Sequence, residues 1–304
     1  MKKYSLYGLT IETDIDFPHL NALDDSYDTD VLIRQGECLN EVTEYLKKSG
    51  AYEKKYEIGL QYSCFMNKGG YYVIKDGKEI IFETKEGYTP MSVSAWLLGY
   101  CTAMLLLQRD TLAIHCSAVC VNGDGSSRDA FLISGRSGAG KSSLTRKLLE
   151  RGYKLMADDV AAVQCEDEVM VYPAFPYQKL VRNEVEKRNL NKNDLIYVDE
   201  DKDKFLVPVG DEFSGVPAGI KAMIVIAVGD VPEVQIIKLS GFDQLMAVRN
   251  NLFLTVLKGD WMESREVLNM CLKMAGKCPV YIIVRPQEGD SLDAMADLIA
   301  GIEE

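Results

Sequence analysis

The chain has 304 residues, of which 47% are apolar and 26% charged, with a net charge of −12 and only two histidines. That composition is globular and has room for two domains, and its acidity, with no compensating block of Lys or Arg, argues against the basic face a nucleic-acid binder needs. Eight scattered cysteines with no C-x-x-C pair argue against a disulfide framework and a structural zinc site, and read as reduced, buried thiols.

Met1-Lys2-Lys3 is basic, but the apolar run behind it fails at Glu12 and Asp14, so no signal peptide is expected. Tyr4 to Glu12 and Asp30 to Arg34 read as strands. Tyr71 to Ile74 and Glu79 to Glu83 flank Lys75-Asp76-Gly77-Lys78, a hairpin signal because such turns need φ > 0. Thr89-Pro90 opens a helix, with Thr89 as cap and Pro90 at the first helical position. Its apolar side chains, from Trp96 to Leu107, lie on nearly all sides, so it is expected to be buried. The stretch Ala95 to Leu107 is too short to span a bilayer. No membrane partner is expected, and the location is read as cytoplasmic.

The pattern changes near Asp110, which divides an N-terminal α/β domain (1–110) from a larger domain (111–304). Strand-like runs follow at Leu112 to His115, Ala130 to Ser134, Tyr153 to Ala157 and Ala222 to Val228. Helical runs follow at Lys141 to Arg151, Gly241 to Thr255, Ser264 to Ala275 and Ser291 to Ile302. This alternation predicts a sheet covered by helices. The charged stretch Glu184 to Lys204 reads as a surface loop with a short helix.

Gly135-Arg136-Ser137-Gly138-Ala139-Gly140-Lys141-Ser142 fits G-x-x-x-x-G-K-[ST], between a strand-like run and a helical one. The chemistry needs that layout. Glycines let backbone N–H groups turn toward phosphate oxygens, and a helix N-terminus adds the positive end of its dipole. The expected nucleotide contacts are Gly135, Ser137, Gly138, Ala139, Gly140, Lys141, Ser142 and Ser143, with Lys141 on the β- and γ-phosphates and the Ser142 hydroxyl on Mg²⁺.

Asp158-Asp159 follows the run Tyr153 to Ala157, which is expected near the loop strand with its end at the same crevice. Adjacent carboxylates repel unless a cation sits between them, and Mg²⁺ suits. One Asp would hold the ion and the other take the proton of an attacking hydroxyl. His115 ends the run Leu112-Ala113-Ile114 and by itself reads as an ordinary half-buried histidine.

Taken together, Leu112 to Val119, the loop, and Leu155-Met156-Ala157-Asp158-Asp159-Val160 resemble the HPr-kinase-related kinases. Tyr7-Gly8-Leu9 with Phe17-Pro18-His19-Leu20, and Tyr172-Pro173 with Pro176-Tyr177-Gln178-Lys179-Leu180, are similar to members found in peptide-modification clusters, some of which phosphorylate the C-terminal serine of lasso-peptide precursors. The resemblance implies an α/β fold, with a P-loop kinase domain of the HPr kinase/phosphoenolpyruvate carboxykinase type and a smaller N-terminal α/β domain packed on it. It implies Asp158 as general base, Asp159 with Ser142 as Mg²⁺ ligands, and His115, Lys141 and Lys179 as catalytic neighbours, with Lys204 and Arg249 as weaker candidates. ATP, or another nucleoside triphosphate, with Mg²⁺ would be the cofactors, and a serine of a peptide or a small hydroxyl compound the acceptor. A homo-oligomer is left open. No Glu-x-Arg-Gly signature follows Asp159, so HPr as substrate and the reverse phosphorylase reaction are not expected. The competing readings are a non-catalytic nucleotide-binding module, which would keep the loop and lose the base, and a carboxykinase-type lyase.

Overall fold

The computed structural model describes residues 1–121, 129–199 and 203–302. The chain forms two compact α/β units. The first takes Met1–Ala113, Val181–Leu206 and Leu254–Leu268, and the second takes Ile114–Leu180, Val207–Phe253 and Asn269–Glu304.

In the first unit eight strands pair in the order Asn21–Leu23, Lys2–Leu6, Leu9–Thr13, Val31–Gln35, Glu79–Thr84, Gly70–Lys75, Tyr62–Met66, Tyr56–Glu57. The run expected as one strand from Tyr4 to Glu12 is two, because Tyr7 and Gly8 take φ of 55° and 75° and fold it into a hairpin. The Asp76-Gly77 hairpin forms as expected, with both residues at positive φ. Helix Leu39–Lys48 buries Val42 and Leu46 against Cys64, Val73 and Ile81 of this sheet.

The apolar helix starts at Ser94 rather than Pro90. Thr89 and Ser92 hydrogen-bond each other in a turn ahead of it. A π-helical turn, Leu97–Cys101, interrupts it, and the Thr102 hydroxyl donates to the Leu97 carbonyl at 2.8 Å. Every residue from Cys101 to Leu107 is buried, in keeping with its all-round apolar surface. The charged stretch 184–204 adds strand pairing to the short helix expected there. After helix Arg182–Lys187, strand Ile196–Asp199 pairs with Asp203–Pro208, and residues 200–202 lie outside the described residues.

In the second unit Asp129–Gly135, Ala218–Gly229 and Val280–Pro286 lie side by side and parallel. On the other flank of Asp129–Gly135 runs antiparallel Ser117–Cys120, followed by Lys154–Ala157, antiparallel in turn. Two reversals leave the strand bearing the phosphate loop and the strand bearing the acidic pair pointing the same way. The sequence reading had them near each other; Ser117–Cys120 stands between them.

Helix Lys141–Glu150 seals one face of that sheet. Leu144 and Leu148 are fully buried against Val119, Phe131, Ile133 and Leu155 of the strands, and against Met295, Ala296 and Ile299 of helix Leu292–Ala300. Burying each such side chain contributes roughly 1.5–3 kcal/mol, enough to fix the direction of the helix axis. The helix expected over Gly241 to Thr255 ends at Asn250. Asn251 and Leu252 lie alongside Ile114 and His115: the Asn251 carbonyl accepts from the His115 N–H at 2.7 Å, and Leu252 bridges Ile114. A separate 3₁₀ turn, Phe253–Val256, follows. All eight cysteines are buried and none is in a disulfide. Among the described residues no helix is long and apolar enough to cross a membrane.

Candidate active site

The loop strand runs into Gly135, whose φ is +143°; a Cβ there would stand 2.6 Å from the Ile226 carbonyl of the neighbouring strand. Only glycine fits that combination of twist and close approach. Gly140, at φ +111°, then turns the chain directly into helix Lys141–Glu150. The outcome is a strand, a tight loop and a helix N-terminus whose first backbone N–H groups have no partner inside the helix. Lys141 Nζ donates to the Gly135 carbonyl at 2.5 Å, so its charge is held against the loop. Ser137 and Ala139 lie in the loop, and Ser142 and Ser143 in the first helical turn.

Asp158 and Asp159 follow the strand Lys154–Ala157. Asp159 has φ of 72°, a left-handed conformation uncommon for a residue with a Cβ but tolerated by Asp. The turn sends the two carboxylates to different partners. Asp158 Oδ1 accepts from the Ser117 hydroxyl at 2.5 Å, and Oδ2 from the Lys179 backbone N–H at 2.7 Å. Asp159 Oδ2 pairs with Lys179 Nζ at 2.9 Å, and Oδ1 lies 3.6 Å from His115 Nδ1.

Asp158 is partly exposed as a residue, but its carboxyl group is enclosed. Burial pushes that carboxyl above the ordinary carboxylate range, with the charge of Asp159 adding to the rise. The hydrogen bonds from Ser117 and from the Lys179 N–H oppose it. A carboxylate raised by enclosure is a better proton acceptor than one in water.

His115 Nδ1 lies 2.9 Å from the Asp159 carbonyl, which can only accept. Nδ1 therefore carries a proton and donates to that carbonyl. The Phe253 ring stands 5.9 Å from the imidazole. Ser134, the last residue before Gly135, is fully buried; its Oγ is 2.8 Å from the His115 carbonyl and 2.5 Å from Asn251 Oδ1. One hydroxyl thus joins the histidine segment to the root of the phosphate loop.

The dipeptide Gln178-Lys179 links the two halves of the site. Gln178 is buried and donates from Nε2 to the Ser142 carbonyl at 3.1 Å, in the first turn of the loop helix. Lys179 holds Asp158 by its backbone and Asp159 by its ammonium. Of the residues expected from sequence, His115, Asp158, Asp159 and Lys179 come together here, and Lys141 and Ser142 come together on the loop side. Lys204 lies on strand Asp203–Pro208, in the first unit, and Arg249 in the last turn of helix Gly241–Asn250.

Two Bacillus proteins, the HPr kinase/phosphorylases of Bacillus cereus (strain B4264) and Bacillus anthracis (strain A0248), are each 33% identical to this chain over 106 residues. Over that stretch the chain is similar to the HPr kinase/phosphorylases. The match covers 35% of this chain and spans 31% of the length of either relative. The Hpr(Ser) kinase/phosphatase of Coxiella burnetii overlays 63% of this chain and 90% of its own, at 13% identity and a TM-score of 0.33. No protein-family model matches the chain.

Sequence reasoning assigned no role to Ser117, Ser134 or Gln178. Ser117 interrupts an apolar run two residues after His115, and Gln178 precedes Lys179. Those are faint signals. A polar residue in a buried strand needs a partner, but the sequence does not name it.

Proposed function

We propose that this HPr-kinase-related chain is an ATP-dependent phosphotransferase that moves the terminal phosphate to a hydroxyl, with a serine of a peptide or protein as acceptor. The observation that carries the reading is the junction of a G-x-x-x-x-G-K-S loop with an enclosed carboxylate through Gln178 and Lys179. Phosphoryl transfer asks a protein mainly for positioning and charge neutralisation, and the two halves divide that task.

The loop amides and Lys141 would bind the β- and γ-phosphates. Asp158 would accept a hydrogen bond from the acceptor hydroxyl and orient it. As the new oxygen–phosphorus bond forms and the bond to the β-phosphate oxygen breaks, the hydroxyl proton passes to Asp158 and the nucleoside diphosphate leaves. Lys179 would offset negative charge between Asp159 and the transferring group.

Ser142 and Asp159 are the residues that would hold Mg²⁺. Their hard oxygens suit that ion, and phosphates and water would complete its shell. When bound, the ion supplies neutralisation of phosphate charge.

Incubation of the protein with Mg²⁺ and ATP labelled on the γ-phosphate, over a panel of serine-bearing peptides, tests the reading. Acid-stable label on a peptide serine is the expected result. Tight nucleotide binding without transfer to any peptide, and without hydrolysis, would favour a nucleotide-binding module instead.

A further inference from the structure

The strand Val280–Pro286 carries a residue that belongs to the phosphate loop in space but not in sequence. Along the shared neighbour Ala218–Gly229, Ile226 stands opposite Gly135 of the loop strand and Val228 stands opposite Arg285. Adjacent strands are about 4.8 Å apart, so the Arg285 backbone is roughly 10 Å from the loop strand and only a long side chain can cross. Arg285 crosses. Its Nε donates to the Ala139 carbonyl at 2.8 Å, its Nη1 to the Pro286 carbonyl at 2.9 Å, and its Nη2 approaches the Gly138 carbonyl at 3.5 Å.

The consequence is directional. The Ala139 carbonyl and the Gly140 N–H belong to one trans peptide, so they point opposite ways. Holding the carbonyl on the guanidinium aims the Gly140 N–H to the far side of the loop. It also keeps the negative end of that peptide dipole away from an incoming anion. A planar fork does this for two successive carbonyls; a lysine ammonium has no such geometry. The φ of +111° at Gly140 lets the loop accept the arrangement, and a Cβ there would sit 3.6 Å from Arg285 Nε.

We infer that Arg285 is a positioning residue for nucleotide phosphate: it sets the orientation of the loop peptides at Gly138 to Gly140, and so the affinity for a polyphosphate chain. The inference rests on the nucleotide-binding reading above. It requires that Arg285 act on the phosphate part of the ligand.

Calorimetric titration with Mg·ATP and, separately, with inorganic tripolyphosphate tests it on wild type, Arg285→Met, Arg285→Lys and Arg151→Met. Arg151 pairs with Asp293 and Asp297, both at 2.6 Å, elsewhere in the same unit, and serves as the control for loss of one charge. Arg285→Met is expected to weaken both ligands by about tenfold or more, the scale of one charge-assisted hydrogen bond. Arg285→Lys should recover part of the loss, and Arg151→Met should bind like wild type. Melting curves run alongside; if Arg285→Met does not fold, Arg285→Lys decides by the same titration. Affinities for both ligands within about twofold of wild type in the deciding variant, or an equal loss in Arg151→Met, would overturn the role of Arg285. If wild type binds neither ligand, the nucleotide-binding reading itself falls, an outcome distinct from wild-type binding that the variants leave unchanged.

Discussion

The phosphate loop takes its shape from eight consecutive residues, Gly135 to Ser142, set between a strand and the helix it leads into. The acidic cluster draws on His115, Ser117, Asp158, Asp159 and Lys179, from several segments of the chain. In the first region backbone conformation does most of the shaping, through three positive-φ glycines, Gly135, Gly138 and Gly140. In the second, side chains must meet across strands: burial raises the proton affinity of Asp158, and the Ser117 hydroxyl and the Lys179 N–H fix its position and oppose that rise. On the proposed reading, the contrast is between a binding cradle shaped locally and a proton acceptor set by its neighbours. The cradle should therefore govern affinity, and the cluster should govern rate and pH dependence.

The largest effect expected is on Asp158. Asp158→Asn keeps the shape of the side chain but cannot take a proton, and transfer should fall by roughly 10²–10⁴-fold, the usual scale for losing a general base. Steady-state kcat measures it, and an unchanged kcat would move the base elsewhere. Lys141→Ala comes next. Removing a charge preorganised for the γ-phosphate costs about 3–4 kcal/mol in comparable sites, or some hundreds-fold in rate, with the melting temperature preserved. Activity within about threefold of wild type would end the loop's assignment.

Asp159→Asn should act more mildly, weakening the Mg²⁺ dependence of nucleotide binding by about tenfold. Titrations with and without the metal read this out, and an unaltered dependence would leave Asp159 to Lys179 and His115 alone. Ser117→Ala is expected to be the smallest change in rate, about tenfold or less. Its signature is the pH profile. The base works ionised, so transfer is lost as pH falls through the raised pKa of Asp158, and the acid limb should lie above the ordinary carboxylate range. The Ser117 hydrogen bond holds that pKa down, so its removal should carry the limb to still higher pH. A limb that moves down or stays put would show that Asp158 is not the titrating base.

What the sequence disclosed follows the same division. The loop, its strand and its helix were legible because glycine spacing and the apolar pattern around it are local. The Asp76-Gly77 hairpin was legible for the same reason. The acidic pair was visible as a pair, but its distinction into an enclosed Asp158 and a lysine-paired Asp159 depends on a left-handed turn at Asp159 and on contacts 20 to 44 residues away in sequence. Arg285, 146 residues from the loop carbonyl it holds, left no local trace at all. The break between Tyr7 and Gly8 and the early end of helix Gly241–Asn250 were hidden too. The first turns on an unusual backbone conformation, and the second on Asn251 and Leu252 pairing with Ile114 and His115.

The central claim is that nucleotide holding and proton transfer are divided between the loop and the acidic cluster. Its most direct test pairs two measurements on the same preparations of wild type, Lys141→Ala and Asp158→Asn: equilibrium affinity for Mg·ATP, and single-turnover phosphate transfer to a serine peptide. The account predicts that Lys141→Ala loses both, while Asp158→Asn keeps its affinity within about twofold and loses transfer by about a hundredfold or more. Asp158→Asn transferring at close to the wild-type rate, or losing affinity as much as it loses rate, would contradict it.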